Sequence, residues 1–202
     1  MALGDSMTAG FISPRDYSGP RYYPYTAVLE ALARGGLGAG CGFSVVVINK
    51  GVNGDSTDGM LERFSRSVAF EEPDFVIIWA GINDLYAGRG PEQVASNVAE
   101  LMERVRLVGA APIVCAVTPV EGSPRFNDRI RALNSLIRMH CEAEGHPYVD
   151  LYAATANRDQ RLDTRYSDDG VHLNGEGYTA VAHAIYREAV KGLLEKLSSE
   201  GV

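Results

Sequence analysis

Cysteine is scarce in this chain: Cys41, Cys115 and Cys141 are all there is, and no two of them form a CxxC pair. An odd, widely spaced set supports neither a disulfide framework nor a zinc site, so the thiols are expected to be inert, with Cys115 buried in a strand. Long apolar runs are also missing, since none reaches the ~18 residues that a membrane-spanning helix needs. Positive charge is in deficit, with 19 Lys and Arg against 26 Asp and Glu and a formal charge of −7 spread without blocks. That balance favours solubility and disfavours nucleic acid as a partner. Repeats, low-complexity tracts and linkers are absent as well, and 202 residues that are 46% hydrophobic suit one domain, 1–202, with a sizeable core. No signal peptide is visible in the chain as given, which favours a cytoplasmic location.

What is present is alternation. Short β-branched runs at Phe43–Asn49 (FSVVVIN), Asp74–Ala80 (DFVIIWA), Pro112–Val117 and Pro147–Leu151 read as strands buried on both faces. Helical patterns lie between and after them, at Tyr25–Arg34, Asp58–Val68, Pro91–Val108, Phe126–Glu144 and Glu176–Leu197. In the third, Val94, Val98, Leu101, Val105 and Val108 recur at helical spacing behind a proline suited to a first turn. Strand and helix in strict order predict an α/β fold, a mostly parallel sheet with helices on both faces and ligands at the carboxyl ends of the strands. Phe11–Pro24 and Gly35–Gly42 read as loops.

The conspicuous polar groups fall at those strand ends. Met1–Leu3 is the stub of a strand, and Gly4-Asp5-Ser6 follows it. FSVVVIN runs into KGVNGDST with Asn53 and Gly54, DFVIIWA runs into GINDL with Asn83 and Asp84, and SDDGVHLNGEGY brings Asp169 and His172 just before the last helix. All four are expected on one rim, and their chemistry is complementary. A serine hydroxyl becomes nucleophilic when a base takes its proton, and histidine, with an ordinary pKa of about 6.5, suits that task. Ser6 is the candidate nucleophile and His172 the base, while Asp169, three residues earlier, can orient the imidazole. The backbone N–H groups of Ser6 and Gly54 and the amide of Asn83 are candidate donors to a tetrahedral oxyanion. Glycine at 54 lets the backbone approach substrate without a Cβ in the way. GDS, GxND and DxxH together arise by chance about once in two thousand chains of this length.

These motifs, in this order, resemble the GDSL or SGNH hydrolase family, block by block along the whole chain. The resemblance implies that Ser6, Gly54, Asn83 and His172 are the four namesake residues, with Asp169 completing a triad. It also implies a flavodoxin-like three-layer α/β/α sandwich with a five-stranded sheet, no metal or other cofactor, and activity on carboxylic esters. Esterases, thioesterases, lysophospholipases and carbohydrate deacetylases all belong to that family; KGVNGDST and the helix after it look closest to the small esterase and thioesterase-like members. The expected partner is a small-molecule ester. Members of the family carry a full first strand before GDS, whereas three residues span only about 10 Å. The given start is therefore expected to lie downstream of the natural one, or residues outside the sequence to lengthen the strand.

Other groups have plainer readings. Asp5 and Asp84 are expected to support the loops that hold Ser6 and Asn83. Tyr17, Tyr22, Tyr23, Tyr25 and Tyr86 either line an acyl or sugar pocket or anchor a loop. His140, His146 and His183 read as surface or core imidazoles, and Asp168 is out of register for DxxH. Two rival functions remain open. One is a metal-dependent hydrolase in which Asp5, Asp55, Asp84, Asp169 and His172 surround a divalent ion, and the other is a non-catalytic binding protein on the same fold.

Overall fold

The computed structural model describes residues 1–14, 19–37 and 43–200. Cys41, Tyr17 and the glycine-rich 38–42 stretch lie outside the described residues. From the amino end the chain forms β1 (Ala2–Gly4), α1 (Ser6–Ala9), a two-stranded hairpin of β2 (Phe11–Ile12) and β3 (Arg21–Tyr22), α2 (Tyr25–Gly36), β4 (Asn49–Gly51), α3 (Thr57–Ser67), β5 (Phe75–Trp79) and α4 (Ile82–Tyr86). It continues through α5 (Pro91–Leu107), β6 (Ala111–Cys115), α6 (Pro124–Glu144), β7 (Tyr148–Val149), α7 (Leu151–Thr155) and α8 (Gly175–Ile185), and a π-helical turn at Tyr186–Val190 leads into α9 (Lys191–Glu200). The main sheet has the order β4-β1-β5-β6-β7, with all neighbours parallel.

Counting only the strands of that sheet, the order is 2-1-3-4-5, the flavodoxin-like arrangement, which reverses direction between β1 and β5. Successive side chains of β5 alternate in direction and so feed two cores. Val76 and Ile78 pack with Leu3, Met60, Phe64, Val98, Leu101 and Leu133 beneath α3, α5 and α6. Ile77 and Trp79 pack with Ala2, Tyr25, Leu29, Tyr178 and Ile185 beneath α2 and α8. The sheet is covered on both faces, as the unbroken apolar runs require.

Several expected boundaries moved. FSVVVIN is not a strand along its length, because pairing with β1 begins at Ala2 opposite Asn49 and reaches Gly4 opposite Gly51. Upstream, the Val47 amide is satisfied by the Glu30 carboxylate and the Val45 carbonyl by Arg34, both from α2, and Val46 is exposed. Phe11–Pro24, read as loop, contributes the β2–β3 hairpin, and Gly35 and Gly36 finish α2. Val108 falls just past the end of α5 and is partly exposed, while Val94, Val98, Leu101 and Val105 are buried as the spacing predicts.

The crossing of β1 over into α1 is close enough to demand glycine at its edge. A Cβ on Gly4 would stand 2.2 Å from Thr8 Oγ1 and 2.5 Å from the Trp79 carbonyl oxygen, contacts that backbone on one side cannot relieve. Gly4→Ala is expected to cost about 1–3 kcal/mol of stability, read as a lower urea midpoint with an unchanged slope. An unchanged midpoint would mean that β1 can shift away from β5.

Candidate functional site

Ser6 stands where β1 ends. Asp5 caps the following single turn, its Oδ1 accepting from the Met7 amide at 2.9 Å, and Ser6 is the first residue of α1. The turn after β4 is closed by the Asp55 amide donating to the Val52 carbonyl at 3.1 Å, with Gly54 at φ +74°. A Cβ at Gly54 would meet nothing within 4 Å, so glycine is required there by the left-handed backbone rather than by crowding within the protein. Asn83 lies in the first turn of α4, directly after β5. Its Nδ2 donates to the Asp55 carbonyl at 2.9 Å and to Asp5 Oδ2 at 3.3 Å. One side-chain amide thus joins the loops carrying Ser6, Gly54 and Asn83, at the carboxyl edge of β4, β1 and β5.

Asp84 fixes α4 from below. It is fully buried, with Oδ2 accepting from the Thr57 amide at 2.9 Å and Oδ1 from the Thr57 hydroxyl at 2.8 Å. Asn97 reaches the same hydroxyl from α5 at 2.9 Å. Asp5 and Asp84 thus each accept hydrogen bonds from the segments around Ser6 and Asn83.

Asp169 and His172 share one tight turn. Asp169 Oδ1 accepts from the Val171 and His172 amides at 2.9 and 2.7 Å, and Oδ2 lies 2.8 Å from His172 Nδ1. Ser167 Oγ ties the turn internally, accepting from the Gly170 amide and donating to the His172 carbonyl. Burial tends to raise the Asp169 pKa, but the hydrogen bonds from the imidazole and the two amides outweigh it and hold the carboxyl below its ordinary value. An ionised carboxylate on Nδ1 keeps that nitrogen protonated and leaves Nε2 as the acceptor. The imidazole packs edge-on against Phe11, centroids 4.8 Å apart, and Tyr178 from α8 holds the Phe11 carbonyl at 2.7 Å. The segment following Ser6 and the turn carrying His172 are in contact through that ring.

Burial drives the Asp5 carboxyl up to about 7; the Met7 amide offsets part of this, and the neighbouring carboxylates of Asp55 and Asp84 add to it. The proposed metal ligands do not converge. Asp55 is paired with Arg63 at 2.7 Å, Asp84 is held by Thr57 and lies 3.4 Å from Arg89, and Asp169 is held by His172. Among the described residues no three His, Cys, Asp or Glu side chains are placed to share an ion.

The tyrosines separate. Tyr25 is wholly buried against Trp79, so it belongs to the core and not to a pocket. Tyr22 is half exposed, accepts from Asn53 Nδ2 at 2.9 Å and meets Phe11 edge-on. Tyr86 stacks on Phe126 with centroids 4.3 Å apart. Tyr23 faces an open groove of about 620 Å³ with Arg165, Tyr166, Glu176 and His183. His140 and His183 are exposed on helices, and His146 is half-buried before β7. Cys115 and Cys141 are buried, and burial raises both thiol pKa values. One site residue escaped the sequence reading: Arg63, 6% exposed, whose signal was a charge on the buried stripe of α3 between Met60 and Phe64.

Residues 2–180 match the model of the GDSL-like lipase/acylhydrolase family. The chain is 27% identical over 194 residues to an arylesterase of Vibrio mimicus, covering 96% of this chain and 88% of that protein. It is 31% identical over 86 residues to esterase TesA of Pseudomonas aeruginosa, 42% of this chain and 43% of that one. Among solved structures, an acetylxylan esterase from Geobacillus stearothermophilus superposes with a TM-score of 0.77 at 20% identity, covering 93% of this chain and 91% of its own. A GDSL-like lipase from Bacteroides thetaiotaomicron gives 0.73 at 22%, with 96% and 86% covered.

The raised carboxyl of Asp5 makes a stability prediction. Between the ordinary value of 3.8 and about 7 the folded chain holds a proton at Asp5 that the unfolded chain has lost, so this group lowers stability progressively as pH rises through that window. Asn cannot ionise. The difference in unfolding free energy between Asp5→Asn and the parent is therefore expected to shift toward the variant from pH 4 to pH 7 and to level off above it, in urea titrations at a series of pH values. Parallel profiles would show that Asp5 does not titrate there.

Proposed function

The chain belongs to the GDSL-like lipase/acylhydrolase family, and from that premise we propose that residues 1–202 act as one serine hydrolase domain that cleaves carboxylic esters through an acyl-enzyme on Ser6. The observation that carries the reading is the hydrogen-bonded run from Asp5 through Asn83 to Asp55, which ties three strand-end loops into one rim beside a histidine already oriented by Asp169. His172 Nε2 takes the Ser6 proton as Oγ attacks the carbonyl carbon. The C–O bond order falls, the oxyanion is met by the amides of Ser6 and Gly54 and by Asn83, and collapse expels the alcohol with the proton from His172. Water then attacks the acyl-serine with His172 as base, and the carboxylic acid leaves.

Asn83 has two amide hydrogens and two acceptors in the free protein. The 3.3 Å bond to Asp5 is the longer and weaker, so it is the one that yields to the oxyanion while the Asp55 carbonyl keeps the amide in place. The order of the sheet supports this location, because Ser6 follows β1 and Asn83 follows β5, the two strands between which the order reverses. Tyr22 accepts from Asn53 beside the Gly54 turn, and Tyr86, the last residue of α4, stacks on Phe126 in the first turn of α6. Likeness to an arylesterase makes an aryl ester with a short to medium acyl group the first substrate to try, with thioesters, lysophospholipids and O-acetylated carbohydrates as further classes.

Ser6→Ala and His172→Ala are each expected to lower ester hydrolysis by about three or more orders of magnitude while the fold survives. Asn83→Ala should lower kcat by about 10²–10³ with little change in KM; a change in KM alone would make it a binding residue. Asp169 stays ionised below its ordinary range and so contributes no limb near neutrality; kcat/KM should rise with pH as the general base is freed, and the profile of Asp5→Asn, which lacks the carboxyl pushed up to about 7, should show that limb alone at unit slope. Activity that vanished in EDTA and returned with a divalent ion would overturn the metal-free mechanism.

A further inference from the structure

Arg63 is a buried cation outside the groups that would touch substrate. Its Nε donates to Asp55 Oδ2 at 2.7 Å, and its Nη2 donates to the Gly4 carbonyl at 3.0 Å and to the Lys50 carbonyl at 2.9 Å. Removing a guanidinium from water is costly even when it is paired, and the adjacent positions of α3, Met60 and Phe64, already fill the core with apolar volume. The three acceptors share one property. Gly4 ends β1 and leads through Asp5 to Ser6; Lys50 lies in β4, which leads to Gly54; Asp55 directly follows Gly54, and its own carbonyl receives Asn83. One side chain therefore holds the supports of all three candidate oxyanion donors and touches none of the donors.

We propose that Arg63 is a positioning residue for acyl transfer, fixing the spacing of the Ser6 amide, the Gly54 amide and the Asn83 side chain through the Gly4 and Lys50 carbonyls and the Asp55 carboxylate. This rests on reading those donors as an oxyanion hole. The need for such a pin follows from the sheet: β1 and β4 pair through three residues each, so few ladder hydrogen bonds define how far apart their carboxyl ends stand. A planar fork with donors in fixed directions can hold acceptors from two strands and a loop together, which a single ammonium on a flexible stem cannot do. Oxyanion donors lose much of their effect when displaced by about 1 Å.

The test is Arg63→Lys, which keeps the charge, assayed with an aryl ester and with an aryl boronic acid, whose tetrahedral adduct on Ser6 mimics the oxyanion. In protein shown to be folded by circular dichroism and thermal unfolding, kcat is expected to fall about 10–100-fold with KM within about threefold, and boronate affinity to weaken by a similar factor. Combined with Asn83→Ala, the loss in kcat should be clearly smaller than the product of the two single losses, because Arg63 acts partly through Asp55 on Asn83. Full-speed turnover by folded Arg63→Lys, or losses that multiply in the double variant, would overturn the proposal. If Arg63→Lys does not fold, Asp55→Asn carries the same measurements, with an expected loss in kcat of about tenfold and the same two overturning outcomes. A parent chain that hydrolysed no ester would overturn the serine-hydrolase reading and this inference together, whereas an active parent with an indifferent Arg63 overturns the inference alone.

Discussion

Three parallel strands that end side by side leave three loops with no ladder to hold them, and the two hydrogens of the Asn83 amide supply the missing connection. They reach the Asp55 carbonyl in one loop and the Asp5 carboxylate in another. Each acceptor is in turn held from elsewhere: Asp5 by the Met7 amide it caps, and Asp55 by Arg63. Asn83 itself rides on a five-residue helix whose second anchor is Asp84 on Thr57. Without the bridge, the loops of Ser6 and Gly54 would still be joined by Arg63 and by the Val52 amide on the Gly4 carbonyl, but neither would hold the Asn83 side chain.

Much of this was legible in the sequence because it is local. The β5 run FVIIW and the α5 stripe declare themselves by period; Ser6, Gly54 and Asn83 stand out just beyond strands, and Asp169 and His172 just before the helix α8. What was not legible depends on partners distant in sequence. Phe43–Ile48 has the composition of a strand, yet its pairing is decided by where β1 lies, and α2 side chains satisfy part of its backbone instead. Tyr25 and Tyr86 look alike in the chain, but one meets Trp79 in the core and the other meets Phe126 at the rim. Arg63 was hidden because a helical charge ordinarily faces water, and only the acceptors gathered from β1, β4 and the Gly54 turn explain its burial.

The carboxylates at the rim differ through their partners more than through their chemistry. Asp55 is paired with the Arg63 guanidinium, and Asp84 accepts from Thr57 and lies 3.4 Å from the Arg89 guanidinium, whereas Asp5 keeps one short hydrogen bond and one long one in a fully buried setting. Desolvation is what pushes the Asp5 carboxyl up. A site proposed to stabilise an oxyanion benefits from that difference, since a fixed negative charge beside the developing one would work against it.

Tyr86 and Asn83 are three residues apart on the same short helix, α4, so they stand near one another on its surface. Tyr86 and the proposed oxyanion donor are thus two parts of one small lever, with Phe126 of α6 as the surface it leans on. A substrate group that presses against Tyr86 would tilt the same element that carries the Asn83 amide, and one that fits would leave it at rest. Discrimination among esters would then be expressed as speed of turnover as much as tightness of binding, because Tyr86 and the proposed oxyanion donor ride on the same five-residue helix.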